Sequence, residues 1–375
     1  MEEGLAVRYV QVNSVPYGST GSLMLKRHAE LLAEGCESWA MWGRGRAAQA
    51  TGELNYGTPA GVALDAAATR LDGRAGFHSQ AATLRLLDEL DRIDPDVVHL
   101  HNLHGYHVNV RMLFAWLAER RQRTVWTLHD CWAFTGHCAY FVHAGCGRWR
   151  NGACGSSCPQ LGTYPATVAK SSVAWNYAHK RAAFTSLPPE LLTLQVPSQW
   201  LASLVGESFL AGYPCEVRPH EVDAGVFHPS ESDFREHHGL GDRPLVLGVA
   251  FPWEPRKGYE DFLQLRGLLP AEYAIALVGL GGRQIRALPE GIVGVGRVEA
   301  HELAGIYTTA DVLFQPSREE TFGLTIAEAH ACGTPAVVYA GGACAETAAA
   351  CGGTVVAGVH EAAAAICELC GGGAA

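Results

Sequence analysis

The chain has 375 residues, too many for one ordinary hydrophobic core and enough for two α/β domains with a cleft between them. Hydrophobic residues make up 48% and charged residues 18%, so the composition excludes an intrinsically disordered protein. The formal net charge of -10 argues against a nucleic-acid partner, because such proteins need a basic face to displace counterions.

Membrane and secretion signals are missing from the sequence pattern. No stretch approaches the roughly 20 consecutive apolar residues that a membrane-spanning helix needs. The first residues, Met1-Glu2-Glu3-Gly4, are acidic where a secretory signal is basic. We therefore expect a cytoplasmic protein, and peripheral contact with the inner face of the membrane stays open.

The N-terminal half alternates predicted strands and helices. The sequence predicts a strand over residues 6–12, a glycine-containing turn over 17–21 and a helix over 22–33. Further elements are predicted at these positions: strands over 96–101, 124–129, 192–196 and 216–218, and a helix around 110–120. Such alternation is typical of a parallel, doubly wound sheet.

The same pattern restarts in the C-terminal half. Short apolar runs predict strands over 244–250, 273–278, 291–295, 311–315 and 335–339, with helices between them. The fold class is therefore α/β, with two Rossmann-like domains in series. We place the boundary near residue 220, which gives domains over 1–219 and 220–375.

A pair of glutamates marks the most informative segment. Glu320 and Glu328 stand eight residues apart, with Phe-Gly-Leu at 322–324 between them and Ala-Cys-Gly-Thr-Pro at 331–335 after them. This pattern resembles the paired-glutamate signature of glycosyltransferase family 4, a family of retaining enzymes with the GT-B fold.

The chemistry expected of this segment is binding of a nucleotide diphosphate sugar. A helix that begins near Gly323 would offer free backbone N–H groups and its positive dipole end to a diphosphate. Glu328 could accept hydrogen bonds from both ribose hydroxyls, and Glu320 could reach the donor sugar. The other donor-binding residues predicted here are Thr321, Phe322 and Leu324.

A cationic turn is predicted to complete the donor site. Lys257 follows the strand over 244–250, where its ammonium group can neutralise the diphosphate as charge builds on the leaving group. The family normally carries an arginine directly after this strand, but Ala-Phe-Pro-Trp at 250–253 takes that place here. Arg256 is predicted to substitute for it. Glu346 follows Gly-Gly at 341–342 and matches a further family element that positions a loop or touches the ligand.

Polar residues gather at the carboxyl ends of strands in the N-terminal half, where α/β sheets bind ligands. His129 resembles the histidine that in family members contacts the donor sugar or the acceptor, and an imidazole can hydrogen-bond a hydroxyl in either protonation state. His101 and Asn102 are expected to face the acceptor. Gly18 and Gly21 lie where the family's glycine-rich loop packs over phosphates.

The resemblance covers nearly the whole chain, and the segments 96–106 and 127–138 resemble a capsular and colanic-acid-type subgroup. It implies transfer of a hexosyl unit from a UDP- or GDP-linked sugar to a lipid-linked or oligosaccharide acceptor in surface polysaccharide biosynthesis. No carboxylate is placed for a double displacement, so the family implies a front-face attack without a catalytic cofactor. The predicted catalytic residues are His129, Glu320 and Lys257.

One departure from the family pattern favours other functions. His220-Glu221 replaces an Asn-Gly pair at the hinge, where the backbone turn favours glycine. A catalytically inactive sugar-nucleotide-binding partner therefore stays an alternative, supported also by the missing arginine. A sugar-nucleotide 2-epimerase is a second alternative, because it shares the fold and the donor.

Cysteines crowd an insert over residues 131–165. Cys138, Cys146, Cys154 and Cys158 are separated by seven, seven and three residues. Four thiolates could hold one structural zinc ion and rigidify a loop without a core of its own. The spacing lacks Cys-x-x-Cys pairs, so reduced, partly buried thiols are the alternative. His137 and His143 are alternative ligands.

Overall fold

The structure, a computed structural model, describes residues 6–46 and 50–371. The chain divides after Arg218 into two compact units, called here the N-terminal unit and the C-terminal unit. The acidic stretch from Met1 to Gly4 lies outside the described residues. Within the described part of the chain, no helix combines the length and the apolar character needed to cross a bilayer.

The N-terminal unit is an α/β unit in which helices follow most of the strands. Its elements are β1 (Arg8–Asn13), α1 (Gly18–Ala33), β2 (Glu37–Trp42), β3 (Glu53–Asn55), α2 (Pro59–Asp72), α3 (Gln80–Ile93), β4 (Val97–Leu100), α4 (Val110–Glu119), β5 (Thr124–Thr127), α5 (Ser172–Phe184), β6 (Leu192–Val196), α6 (Gln199–Gly206) and β7 (Cys215–Val217). The long connection from β5 to α5 contains short 3-10 turns at Trp132–Phe134 and Arg148–Asn151.

The strands of this unit form one parallel sheet in the order β3-β2-β1-β4-β5-β6-β7. The strand order reverses between β1 and β4, and ligands bind beyond the carboxyl ends of strands at such switch points. Strands with apolar side chains on both faces need cover on both sides, which the helices provide. Val10, Leu100 and Trp126 are fully or almost fully buried in the resulting core.

The C-terminal unit repeats this plan. Its elements are α7 (Phe234–His237), β8 (Leu245–Val249), α8 (Tyr259–Leu268), β9 (Ala274–Val278), α9 (Gly282–Arg286), β10 (Ile292–Val295), α10 (Ala300–Thr309), β11 (Val312–Gln315), α11 (Leu324–Ala331), β12 (Ala336–Tyr339), α12 (Cys344–Ala350), β13 (Thr354–Val356) and α13 (Val359–Gly371). The parallel sheet has the order β10-β9-β8-β11-β12-β13, so its switch point lies between β8 and β11.

The structure confirms the α/β prediction and every predicted strand, with strand ends that differ by one or two residues. The predicted turn over 17–21 is wrong, because α1 already begins at Gly18. Gly18 enters the helix at a φ of 70°, and a Cβ on Gly21 would lie 2.5 Å from the Pro16 carbonyl carbon. Both glycines therefore serve the tight strand-to-helix connection.

Candidate functional site

The carboxyl ends of β8 and β11 lie side by side at the switch point of the C-terminal sheet. The loop after β11 carries Glu320, and α11 begins directly after Gly323. Gly323 has a φ of 97°, in the left-handed region that favours glycine, and a Cβ there would meet the Ile326 side chain at 2.9 Å. The loop after β11 therefore turns sharply at Gly323, and the N-terminus of α11 lies at the carboxyl edge of the sheet.

Glu320 is buried in an ion-paired cluster. Its Oε1 lies 2.5 Å from Lys257 Nζ and 3.4 Å from Arg256 Nη1, and only 8% of the residue is exposed. Burial acts to raise the pKa of the Glu320 carboxyl, but the two cations outweigh burial and hold that pKa below its usual range. Glu320 is therefore ionised at neutral pH and offsets part of the positive charge beside it.

Arg256 lies on the 3-10 turn Pro255–Lys257 that follows β8, and it is buried. Its Nη1 donates to the carbonyl oxygen of Glu319 at 2.8 Å, and its Nε donates to the Glu254 carboxylate at 3.0 Å. A planar guanidinium suits such a fixed set of acceptors better than an ammonium group does. Arg256 thus joins the turn after β8 to the loop after β11.

Two glycines support the turn at Glu320 from the start of α12. A Cβ on Gly342 would lie 2.2 Å from the Glu320 carbonyl oxygen, and a Cβ on Gly341 would lie 2.0 Å from the Ser317 carbonyl oxygen. The Ala343 N–H donates to that same Glu320 oxygen at 2.8 Å. The glycine pair thus makes a close contact with this turn, whereas the Glu346 residue is exposed.

Glu328 lies on α11 and contacts the buried Tyr307 of the preceding helix, α10. The Tyr307 hydroxyl donates to Glu328 Oε2 at 3.0 Å. Burial raises the pKa of the Glu328 carboxyl to about 7, although the hydrogen bond from Tyr307 acts in the opposite direction. Glu328 therefore changes its charge near neutral pH. Sequence reasoning missed Tyr307, which sits in an ordinary amphipathic helix and carries no motif.

The hinge residues His220 and Glu221 do not need glycine. Among the described residues, a positive φ at a non-glycine position occurs only at Ser79, Asp94, Tyr106 and Arg121. The side chain of His220 instead packs edge-on against Phe322, with ring centroids 5.3 Å apart. Burial lowers the pKa of His220 to about 4, so the ring is neutral at physiological pH. The expectation that the backbone at this hinge requires glycine is therefore wrong.

Three histidine rings stack along the carboxyl half of β4 and the end of β5 in the N-terminal unit. The centroid of His101 lies 4.3 Å from that of His99 and 5.4 Å from that of His129. His101 Nε2 lies 3.3 Å from Gln11 Oε1, and His101 Nδ1 lies 3.1 Å from His129 Nε2. Which nitrogen donates in these two contacts depends on the tautomers of the His101 and His129 rings.

Gln11 was not predicted as a site residue. The signal that could have identified it is a polar side chain inside the apolar strand β1. Its side chain is fully buried and aligns His101. His101 and His129, both predicted as site residues, are thus brought together by the fold. Their contact is a direct ring-to-ring hydrogen bond between the ends of two neighbouring strands.

His104 and Asp130 form a second polar pair next to this stack. His104 Nε2 lies 2.7 Å from Asp130 Oδ2, and each residue is only 9% exposed. Asp130 Oδ1 accepts a hydrogen bond from the Trp132 N–H at 2.8 Å. Burial acts to raise the pKa of Asp130, but His104 and this hydrogen bond hold it below its usual range. His104 Nδ1 makes no hydrogen bond in the described structure.

Asn13 connects the predicted glycine-containing segment to Asn102. Its Oδ1 accepts the backbone N–H of Asn102 at 3.2 Å, and its Nδ2 donates to Thr20 Oγ1 at 3.3 Å. The ends of β1 and β4 and the first turn of α1 thus meet at one amide side chain. Gly18 and Gly21 lie in that same first turn. Asn13 was not predicted, because one asparagine after a strand carries little signal.

All four cysteines of the predicted metal set line one small void. The void measures about 10 Å³ and is lined by Cys138, Cys146, Cys154 and Cys158. The Cys138 thiol hydrogen-bonds Cys158, which raises the pKa of Cys138 and lowers that of Cys158 to about 6. Among residues 6–46 and 50–371, no three His, Cys, Asp or Glu side chains form a ready-made metal site.

A larger cavity of about 310 Å³ opens in the N-terminal unit beside α2 and α3. Tyr106 and His107 line one part of it, and Asp65 and Ser79 line another. Asp65 is buried and accepts hydrogen bonds from Ser79 Oγ and from Thr69 Oγ1 at 3.0 Å. The sequence gives no local signal for this cavity, because its lining combines α2, α3 and loop residues that are distant along the chain.

A family comparison matches the C-terminal unit. Residues 243–371 match the model described as glycosyl transferases group 1. This segment contains β8 to α13, and with them Lys257, Glu320, Gly323 and Glu328. The match therefore includes the donor-site residues predicted in the C-terminal half, but not Gly18, Gly21 or His129.

Curated relatives are similar over part of their length. The putative colanic acid biosynthesis glycosyl transferase WcaC from Escherichia coli is 29% identical over 160 residues, which are 40% of this chain and 38% of that protein. A D-inositol 3-phosphate glycosyltransferase from Stackebrandtia nassauensis is 37% identical over 148 residues, which are 34% of this chain and 33% of that protein. The chain thus spans well under half the length of these relatives.

Solved structures match nearly the whole chain. Sucrose-phosphate synthase from Thermosynechococcus elongatus has a TM-score of 0.67 at 16% identity, covering 97% of this chain and 89% of that one. HepE from Anabaena, solved with UDP and glucose, has a TM-score of 0.62 at 13% identity, covering 96% of this chain and 89% of that one. The fold is GT-B. This likeness confirms the predicted architecture of two Rossmann-like units.

Proposed function

We propose that the chain is a retaining glycosyltransferase that moves a hexosyl unit from a UDP- or GDP-linked sugar to a hydroxyl acceptor. The observation that carries the proposal is the buried cluster of Lys257, Arg256 and Glu320 beside the start of α11 at Gly323. The cluster lies at the switch point of a sheet whose sequence matches group 1 glycosyl transferases.

The donor diphosphate is proposed to bind between Lys257 and the first turn of α11. Gly323 has no side chain with which to cap that helix, so N–H groups of the first turn are available to an anion. The Lys257 ammonium group has three donors and can hold a phosphate oxygen while it stays near Glu320. Anion binding at this helix start also gains from the helix dipole.

Glu328 is proposed to bind the ribose of the donor. It lies on α11, whose first turn would hold the diphosphate, so one helix would position both parts of the nucleotide. An ionised carboxylate can accept from both ribose hydroxyls, with Oε2 already oriented by Tyr307. Glu320 is proposed to contact the donor sugar, because it lies in the loop just before the helix that would hold the diphosphate.

The reaction proposed is a front-face substitution at the anomeric carbon. The bond between this carbon and the diphosphate oxygen breaks, and the diphosphate departs with the electron pair. The acceptor hydroxyl oxygen forms the new bond on the same face, and its proton passes to the departing diphosphate oxygen. Lys257 and the α11 N-terminus stabilise the charge that builds on the leaving group.

The acceptor is proposed to bind the N-terminal unit at the ends of β4 and β5. His101, Asn102 and the His104–Asp130 pair supply donors and acceptors suited to sugar hydroxyls. The acceptor class we favour is a lipid-linked or oligosaccharide intermediate of surface polysaccharide synthesis. A lipid-linked acceptor would hold the protein at the inner face of the membrane as a peripheral partner.

A donor screen tests the proposal. Purified protein is incubated with UDP-glucose, UDP-galactose, UDP-N-acetylglucosamine or GDP-mannose, with and without oligosaccharide acceptors, and released UDP or GDP is measured. We expect one donor to give acceptor-dependent release. Tight nucleotide binding without any release would instead support the inactive sugar-nucleotide-binding partner, and acceptor-independent conversion of the sugar would support a 2-epimerase.

A further inference from the structure

We propose that Cys138, Cys146, Cys154 and Cys158 bind one zinc ion, and that this ion holds the segment between β5 and α5 in shape. The proposal does not depend on the proposed transferase activity. It rests on how the fold gathers the four thiols, on polar groups beside them without hydrogen bonds of normal geometry, and on a buried amino group next to them.

The four thiols come together although they are spread over the insert. They are separated in sequence by seven, seven and three residues, yet all four line the same void of about 10 Å³. A space of this size holds about one small atom. Four cysteine sulfurs around a single-atom space match the tetrahedral tetrathiolate arrangement of structural zinc sites.

Two buried polar side chains beside the void make no hydrogen bonds of normal geometry. The ring nitrogens of His137 interact with the backbone of Thr163 and Gln160 outside normal hydrogen-bond geometry, and the indole N–H of Trp149 has no partner. Both residues line the void, with 2% and 1% of their surface exposed. Buried polar groups are normally satisfied, and thiolate sulfurs around a metal are acceptors for nearby N–H groups. Zinc-bound thiolates would thus accept from donors that make no other hydrogen bond of normal geometry.

Lys180 places a buried amino group next to the cysteines. The residue is 1% exposed, and it interacts electrostatically with Cys138, Cys154 and Asp130. Burial lowers its pKa, so its ammonium form depends on such nearby anions. Its ammonium group donates to the Trp132 carbonyl oxygen at 2.6 Å and lies 4.0 Å from the Trp132 ring centroid. A tetrathiolate zinc centre carries a net charge of about -2, which would compensate the ammonium form.

Metal binding requires a small rearrangement of the thiols. The hydrogen bond between Cys138 and Cys158 would be replaced by two zinc–sulfur bonds, and each thiol that is still protonated would release its proton to solvent. No redox step is involved. Cys138, Cys146 and Cys154 pack against the N-terminal core, and binding would draw the four sulfurs toward the centre of the void that their residues line.

The zinc site would also support the polar residues at the end of β5. The Cys131 N–H donates to the Ala139 carbonyl oxygen at 3.0 Å, which ties the chain after Asp130 to the segment that begins at Cys138. The Trp132 ring lies 5.5 Å from the His104 ring. The metal would therefore hold one wall beside the His104–Asp130 pair, without contacting a substrate itself.

Metal analysis of the full chain decides the proposal. The protein is expressed without added zinc, purified without a metal-affinity step and analysed by mass spectrometry for bound metals. We expect about one zinc per chain and a tetrahedral thiolate spectrum after exchange with Co²⁺. Well under one equivalent of zinc, a bound iron in its place, or disulfides among the four cysteines would overturn the proposal.

Serine variants identify the ligands. Cys138→Ser and Cys158→Ser should each lose most of the zinc, whereas the matched control Cys215→Ser, at an exposed cysteine outside the insert, should retain it. Full zinc content in Cys138→Ser or Cys158→Ser would overturn the ligand assignment. If a variant does not fold, the metal content and the Co²⁺ spectrum of the unaltered chain still decide whether the site exists.

Discussion

Lys257 Nζ and Glu320 Oε1 lie 2.5 Å apart, and this contact joins the turn after β8 to the loop after β11. Both side chains are largely buried, so each charge depends on the other for compensation. Removing one partner of a buried ion pair commonly costs about 3–5 kcal/mol, because the remaining charge is left in a poorly solvated place. The turn after β8 and the loop after β11 are therefore held together by their own charges.

Glu320→Ala should lower turnover by roughly 10²-fold or more, since the carboxylate is proposed to contact the sugar in the transition state. Affinity for free UDP or GDP should change much less. Steady-state kinetics and calorimetry measure the two effects, with Glu302→Gln on the exposed face of α10 as the control. Equal losses in binding of the free nucleotide and of the intact donor would argue against a role at the sugar.

Glu328→Gln should weaken binding of the nucleotide sugar by roughly tenfold or more, because an amide offers one acceptor oxygen where a carboxylate offers two. The fold should be kept, since the amide can still accept from Tyr307. Calorimetry with UDP-glucose and GDP-mannose measures the loss. Unchanged donor affinity would contradict the ribose assignment.

The pH dependence of donor binding should report the same carboxyl group. Burial raises the pKa of Glu328 to about 7, so donor affinity should rise as the pH increases from about 6 to about 8. UDP-glucose is the suitable probe, because the terminal phosphate of UDP itself titrates near pH 6. Glu328→Gln should show a flat profile over this range. A wild-type profile without a slope would contradict the proposed ionisation.

The same shift predicts a stability effect of opposite sign. Between about pH 4.3, where a glutamate of the unfolded chain ionises, and about 7, the folded protein retains a proton on Glu328 that the unfolded chain has lost. The stabilisation from this group is therefore complete at low pH and declines as the pH rises through that window. Urea unfolding of the wild type and Glu328→Gln at several pH values measures the difference.

Gly342→Ala should damage the site more than Gly352→Ala does. Both glycines have a positive φ, so each alanine costs about 1–2 kcal/mol in backbone strain. At Gly352 no atom lies within 4 Å of the added Cβ, whereas at Gly342 the Glu320 carbonyl oxygen would lie 2.2 Å away. Equal loss of stability and full activity in both variants would show that the contact with Glu320 does not matter.

The anomeric configuration of the product tests the mechanism. If the diphosphate and the acceptor hydroxyl lie on the same face of the donor sugar, an α-linked donor gives an α-linked product. An inverting enzyme would need a base on the opposite face, and His129 is the candidate for that task. Its Nε2 lies 3.1 Å from His101 Nδ1, so taking the acceptor proton on that nitrogen would require breaking this contact. NMR of the product decides, and an inverted linkage would overturn the retaining assignment.

The strands and the donor segment could be predicted because their signals are local. Short apolar runs identified ten strands, and the Glu320–Glu328 spacing around Gly323 identified the helix start that the structure contains. Strands β2, β3 and β13 were not predicted. β3 and β13 have three residues each, and so short a run has no measurable period. The helix start at Gly18 was misplaced, because a glycine-rich stretch favours a turn until tertiary contacts are known.

Contacts between distant segments could not be predicted. Nothing in the sequence pairs Tyr307 with Glu328 or Gln11 with His101, since both contacts depend on how helices and strands pack. The burial of Arg256 could not be predicted from the sequence either, because a cation in a Pro-Arg-Lys turn is usually exposed. The hinge at His220 was misjudged for the same reason, since its backbone angle and its contact with Phe322 are tertiary properties.

The close fit of Gly342 against the Glu320 carbonyl oxygen limits where two homologous chains can be joined into a chimera. The loop after β11 and the start of α12 are far apart in sequence, but each is shaped to the surface of the other. A crossover between two homologous chains that falls within α11 or β12 would separate two segments that fit closely against each other. In a chimera, the loop after β11 and the start of α12 should therefore come from the same parent chain.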